Sequence, residues 1–292
     1  MSASEKFDTS LSIAPATVTS AQIRRKKFIQ DALRMGLILV ITIIFAFPFI
    51  WMVLASFQRQ IDIISPGFAF TPTMANYERV LERHSFSDYL MNSVIIAAAS
   101  TVISLILGLP ASYAVARFKY NFLGLVLLTA RIIPGITLLL PWHILFSQVG
   151  LHGTYIALIA SHIFVSMPFV VWVMVPFFEA LPTEIEESAR IDGATLAGTF
   201  VRIVLPLATP GIITAAIMSF IFSWNNFMFA LMLSSDETRT LPVAIFNFMS
   251  YSSIDWGGLM AAAVMITLPV LIVTIFMQRY IVSGLTAGAM KG

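Results

Sequence analysis

Long apolar runs, free of Asp, Glu, Lys and Arg, alternate with short polar stretches along most of the chain. One runs from Met35 to Gln58 and a second from Tyr89 to Ala116. Arg131 to Glu179 encloses enough apolar residues for two membrane-crossing helices of about 20 residues each. The cluster Gln148-Val-Gly-Leu-His-Gly-Thr154 predicts the break between them. The earlier of the two begins near Phe122 and carries Arg131 inside it. Ile203 to Ser235 holds a fifth run and Trp256 to Gln278 a sixth. The pattern therefore predicts an all-α membrane protein with six spans, roughly 35–57, 91–116, 122–147, 154–178, 208–233 and 257–278. A barrel is excluded, because barrel strands alternate between apolar and polar residues and these runs do not. Around the spans lie a polar tail over 1–34, an external segment over 58–90 with an amphipathic helix from Met74 to Leu90, a core over 91–281 and a second tail over 282–292.

Composition agrees. Of 292 residues, 58% are hydrophobic and 11% charged, and mean hydropathy is +0.89. A soluble domain carries about 25% charged residues, so a cytosolic enzyme, a secreted scaffold and a disordered chain are all excluded. There is no cysteine for disulfides or thiolate metal sites, and a net charge of +2 gives no reason to expect nucleic-acid binding. Placing the N-terminus inside puts Lys6, Arg24, Arg25, Lys26, Lys27, Arg34, Arg117, Lys119, Arg190, Arg202, Arg279 and Lys291 in the cytoplasm. Only Arg59, Arg79, Arg83 and Arg239 then lie outside, which orients both termini inward. The cluster Arg24-Arg-Lys-Lys27 serves as an orientation anchor or as a site for acidic lipids. The first apolar segment is too long for a cleavable signal, and no small-residue cleavage site follows it. Pro48, Pro110, Pro134, Pro141, Pro168, Pro176 and Pro269 fall inside spans, as in a kinked bundle or in ordinary membrane-helix composition.

The least membrane-like part of the core is the loop 179–206, EALPTEIEESARIDGATLAGTFVRIVLP. Thr183 with Glu186 three residues on reads as a capping box opening a short helix. Gly193 follows Asp192 and permits a sharp turn. A second helix is predicted from about Thr195 to Val204, ending at Pro206. Ala189, Ile191, Ala194, Leu196, Ala197, Phe200 and Val201 give this helix–turn–helix apolar faces that need a cover, from its own spans or from a docked partner.

In this loop Glu187-Ser188-Ala189, then Gly193, then Ile203-x-Leu205-Pro206 match in spacing the "EAA" loop of ABC importer permeases, with Ser188 where Ala is usual. Ile191-Asp192-Gly193-Ala194 and Phe200 are similar as well. Asn76-Tyr77, Asn92-Ser93, Phe222-x-Trp224-Asn225 and the tail Gly284 to Gly292 resemble the carbohydrate branch of that family, specifically the maltose-type second permease subunit. The resemblance covers residues 35–292. It implies the type I ABC importer fold in a bacterial or archaeal inner membrane. It also implies a second permease subunit, two ATP-binding subunits that hold ATP and Mg, an extracytoplasmic solute-binding protein and a sugar substrate. Glu187, Ser188, Ala189, Asp192, Gly193, Ile203, Leu205 and Pro206 would then form the contact with the ATPase.

No Gly-x-x-x-x-Gly-Lys-Ser/Thr occurs, so ATP hydrolysis belongs to another chain. His84, His143, His152 and His162 lack the spacing of metal ligands, and no cofactor is expected on this chain. Arg131 lies about ten residues into its span, about 15 Å deep; it faces a polar interior, snorkels to an interface or pairs with a partner subunit. Ser219, Ser223 and Asn226 share one helix face. With Trp224 and Asn225 they offer the aromatic and amide groups that suit a sugar, although Trp224 also fits an interfacial belt. Other readings are an ABC permease for a polyol or glycerol-phosphate-like solute, a secondary transporter, and a non-transporting membrane scaffold.

Overall fold

A computed structural model of the chain describes residues 20–65, 70–83, 86–249 and 254–289. Apart from isolated bridges, every regular element in these segments is helical. The N-terminal residues 1–19 and the last three residues of the tail lie outside them. Contacts divide the chain into residues 1–51 and 52–292. Helix α1, Ser20–Ser56, contains the span Lys27–Ser56. Its apolar side chains from Phe28 to Trp51 are exposed, as suits a helix bathed in lipid.

In the second unit the center is formed by α4, Phe86–Phe118, α7, Tyr155–Ala180, and α11, Thr209–Trp224, with α14, Trp256–Ala289, packed alongside. Helices in lipid gain little from hydrophobic burial, so close backbone approach through small residues does the packing. Ser100, Ser104, Gly108 and Ser112 recur every four residues on α4 and are all buried. A Cβ on Gly108 would lie 2.7 Å from Val170 Cγ1 of α7, and one on Gly211 of α11 would lie within 2.9 Å of the Phe177 ring. A polar tie joins the three helices: Ser100 Oγ donates to Ser223 Oγ (2.9 Å), which also bonds His162 Nδ1 (2.7 Å).

Two of the predicted spans are not single helices. The one expected over 122–147 is divided into α5, Asn121–Ile132, a 3-10 turn over Gly135–Leu138, and α6, Leu139–Gln148. Its halves meet at 91°. The cause is Pro134, which forces Ile133 into an extended conformation (ψ 119°) and ends α5. Pro48, Pro110, Pro168, Pro176 and Pro269 are instead carried inside continuous helices, and Pro141 sits in the first turn of α6, where a missing N–H costs nothing. The span expected over 208–233 stops at Trp224 and resumes as α12, Met228–Leu233. The helical segment Leu196–Leu207 meets α11 at 80°. Four uninterrupted helices are long and apolar enough to cross a membrane, and six spans result if each bent pair counts as one.

At the end of the bundle where α4 and α7 begin, short elements are latched by amides. Asn92 Nδ2 donates to the carbonyls of Glu237 (2.8 Å) and Arg239 (2.9 Å), and Tyr155 Oη donates to Asn92 Oδ1. The predicted break at 148–154 is a turn with Gly150 and Gly153 at φ of +70° and +78°, and Thr154 then caps α7. The amphipathic helix expected over 74–90 is shorter, α3 over Ala75–Arg83, and residues from Phe86 already belong to α4. Asn76 of α3 donates to the carbonyls of Ser56 (2.7 Å) and Gln58 (2.8 Å). The predicted tail 282–292 is helical through Ala289, as a continuation of α14.

Candidate functional site: a clamped helix–turn–helix and a cavity between two helix breaks

The loop after α7 opens with α8, Thr183–Ile191. The predicted capping box does not form. Pro182 is the N-cap, no side chain caps the helix, and Thr183 is its first helical residue. The Glu186 side chain points into the bundle instead. Tyr113 Oη donates to its Oε2 (2.5 Å) and Arg117 Nε to its Oε1 (2.7 Å), while Arg117 Nη2 also donates to the Leu181 carbonyl (2.9 Å). The side chains of Arg117 and Glu186 are only 11% and 12% exposed. Removing one partner of such a pair costs about 3–5 kcal/mol, because the other is left buried and uncompensated. The Tyr113 ring packs against Phe178 of α7 (5.8 Å) and Phe200 of the loop (4.9 Å).

Alpha8 ends in a Schellman turn. Gly193 N–H donates to the Arg190 carbonyl (3.1 Å) and Ala194 N–H to the Ala189 carbonyl (3.0 Å), with Gly193 at φ +87°. A Cβ on Gly193 would meet nothing within 4 Å, so glycine is needed here for its backbone conformation. Thr195 caps the next segment, accepting from Gly198 N–H (3.1 Å). That segment is α9, Leu196–Thr199, then a π turn over Phe200–Val204 and α10, Leu205–Leu207. Ala189 is buried, Ile203 and Leu205 are half-buried, and Glu187, Ser188, Asp192 and Pro206 are exposed. Ile191, at 86% exposure, stands in the open beside them. Glu184, Glu187, Ser188 and Ile191 recur at helical spacing, so α8 presents one outward face with acidic, hydroxyl and apolar groups.

A second feature is a half-open cavity on the face of the bundle. A cavity of about 670 Å³ is lined by both helix breaks: Arg131 and Pro134 on one side, Asn225, Asn226 and Phe227 on the other, with Phe164 and Phe169 of α7 between them. Non-helical backbone at membrane depth is tolerated where it lines such a space. Asn225 Nδ2 donates to the Ile221 carbonyl (3.0 Å), and Asn226 Oδ1 accepts from Phe229 N–H (3.1 Å), so the two amides finish α11 and start α12. The Arg131 guanidinium lies 5.0 Å from the ring centers of both Phe169 and Trp172, two cation–π contacts. Among the described residues no carboxylate pairs with it.

The other pathway candidates lie elsewhere. Trp224 is 2% exposed, stacks on Phe220 and donates its indole N–H to the Ile266 carbonyl (3.1 Å). Ser219 is buried, and Ser223 belongs to the tie with Ser100 and His162. Among the described residues no group of three or more His, Asp or Glu side chains is arranged to hold a metal.

Residues 100–287 match the family model of the binding-protein-dependent transport system inner membrane component. The chain belongs to this family. It is therefore an ABC transporter permease, a multi-pass inner-membrane subunit that performs no catalysis itself. Among similar proteins, the trehalose/maltose transport system permease of Thermococcus litoralis is 38% identical over 262 residues, covering 87% of this chain and 94% of that one. The trehalose transport system permease of Mycobacterium tuberculosis is 38% identical over 228 residues, covering 76% and 83%. A bacterial ABC transporter that imports the acidic polysaccharide alginate has a chain of the same fold, with a TM-score of 0.74 at 22% identity over 90% of this chain and 99% of that one.

Three residues of this permease that anchor the loop, Glu186, Tyr113 and Arg117, were not among the sequence candidates. Glu186 stands between Ile185 and Glu187, two residues after Glu184, and only the fold separates the buried carboxylate from the exposed ones. Arg117 carried a signal, as the basic residue in the last turn of α4. Phe169 and Trp172, which flank Arg131, look like ordinary members of an apolar span.

Proposed function

We propose that the chain is one of two permease subunits of an ATP-driven, binding-protein-dependent sugar importer. Both termini and α8 face the cytoplasm, the six spans form half of the pathway, and an ATPase subunit seats on the outward face of α8. Glu187, Ser188, Asp192 and Gly193 make that contact, with Ala189, Ile203, Leu205 and Pro206 shaping the loop behind it. The observation that carries this reading is the exposed face of α8, closed by the Gly193 turn and held from behind by Glu186. A force-receiving element needs a rigid helix, a tight turn and side chains able to make charge-assisted bonds. The substrate class is supported by the trehalose and maltose permeases among the relatives, and by a cavity that combines aromatic rings with Arg131, Asn225 and Asn226. An extracytoplasmic solute-binding protein delivers the sugar at the opposite end.

Affinity purification from its own membranes, followed by an ATP hydrolysis assay, tests the reading. The chain is expected to bring down a second permease and an ATP-binding subunit, and to hydrolyze no ATP when purified alone. A chain that purifies without either partner, or that turns over ATP by itself with contaminants excluded, would overturn it.

A further inference from the structure

Glu186 and Glu187 are neighbors with opposite surroundings. Glu187 is exposed, whereas Glu186 is buried beneath α8 and both of its oxygens are engaged. A buried carboxylate persists only with a charge partner and full hydrogen bonding, and α4 supplies both from residues four apart on one face, Tyr113 and Arg117. Arg117 also holds the Leu181 carbonyl, the residue that joins α7 to α8. Without these bonds α8 would hang between two joints, Leu181-Pro182 and Gly193. Alpha4 itself is a continuous helix from Phe86 to Phe118. Its other end carries Asn92, which grips the backbone of Glu237 and Arg239. A single rod thus runs from the clamp on α8 to a loop on the opposite side of the bundle.

We propose that Glu186 is a positioning residue for coupling: with Tyr113 and Arg117 it locks α8 to α4 as one rigid body, so that displacement of the exposed face of α8 is delivered along α4 to the 234–241 loop. This rests on the reading of α8 as the ATPase contact. Glu187 and its exposed neighbors receive the force, and Glu186 passes it on. Loss of the clamp leaves the outer face of α8 intact, so the ATPase still binds, but its cycle no longer moves the bundle.

The test uses the whole importer in lipid nanodiscs, with spin labels on Tyr120→Cys, just after α4, and Arg190→Cys, an exposed α8 position outside the ATPase contact. This chain contains no native cysteine, and the partner chains are made cysteine-free. Double electron–electron resonance is measured without nucleotide and in the vanadate-trapped state, alongside ATP hydrolysis with and without the solute-binding protein. In the wild type the distance is narrow and the same in both states. In Glu186→Ala and in Tyr113→Phe it broadens, and stimulation by the binding protein falls about tenfold, within the usual range of coupling between sites, while the ATPase still co-purifies in full proportion. Glu186→Gln, which keeps the length and one acceptor oxygen of the side chain but leaves Arg117 without its countercharge, recovers only part of the stimulation lost in Glu186→Ala. A wild-type distance that differs between the two states overturns the proposal. So does normal stimulation with a narrow distance in Tyr113→Phe, which also decides the matter if Glu186→Ala fails to assemble. A wild-type complex with no ATP hydrolysis at all would instead refute the underlying reading of the chain as a permease with an ATPase partner.

Discussion

At Gly193 the chain holds a backbone conformation, φ +87°, that a β-branched residue adopts only at a cost on the order of 1–3 kcal/mol. Gly193→Val is therefore expected to distort the end of α8 without disturbing the spans, because the position is exposed and outside the apolar segments. Membrane insertion should be normal, while ATPase co-purification or stimulated ATP hydrolysis should fall at least about tenfold, a loss of about 1.4 kcal/mol or more at the contact. Glu187→Lys reverses a charge on the exposed face and should act in the same direction, since like charges at a contact cost affinity. Wild-type behavior in both variants would make this loop a solvated linker. Trp224 belongs to a different class. Its indole is buried and bonded to the Ile266 carbonyl, and truncating a buried Trp typically costs about 3–5 kcal/mol. Trp224→Ala should lower the yield and melting temperature of the detergent-solubilized protein. Asn226→Ala, which frees one α12 backbone N–H beside the cavity, should leave yield closer to normal and reduce uptake. Equal melting temperatures for Trp224→Ala and the wild type would contradict the packing described for α11 and α14.

Among the elements, apolar runs locate helices well and their breaks poorly. The runs predict α1, α4, α7 and α14 because each is apolar for longer than a bilayer is thick. The Gly193 turn was also legible, since a glycine directly after a short predicted helix has few other reasons to be there. Two things were not legible. Of the seven prolines expected inside spans, six sit inside continuous helices or a first helical turn and Pro134 is at a break; the sequence alone does not say which freed carbonyl finds a neighbor. Nor does helical spacing separate Ser219, Ser223 and Asn226. The helix that would align them ends at Trp224, so the first two face the bundle and Asn226 caps the next helix. Topology is tested at this scale by cysteine labeling. On intact cells, Arg190→Cys should resist a membrane-impermeant maleimide, and Asp236→Cys, on a side chain 93% exposed at the far end, should react. Labeling of position 190 from outside would reverse both the orientation and the assignment of α8.

For the whole molecule, the central claim is that this bundle is one half of a pathway opened by ATP hydrolysis on partner chains. The claim joins three features: a helix face built to receive a partner, a clamp that ties it to α4, and a cavity where two broken spans place Arg131, Asn225 and Asn226 together. The sparse charge of the spans speaks against ion coupling, since a secondary transporter needs ionizable groups along its pathway. The most direct measurement is uptake of the radiolabeled sugar that the complex's own solute-binding protein retains, by proteoliposomes that contain the two permeases, with the ATP-binding subunits facing the lumen and the solute-binding protein added outside. The account predicts accumulation of that sugar that requires both lumenal ATP and the binding protein, and that is lost in Gly193→Val. Uptake by this chain alone, driven by an ion gradient and indifferent to ATP, would contradict it.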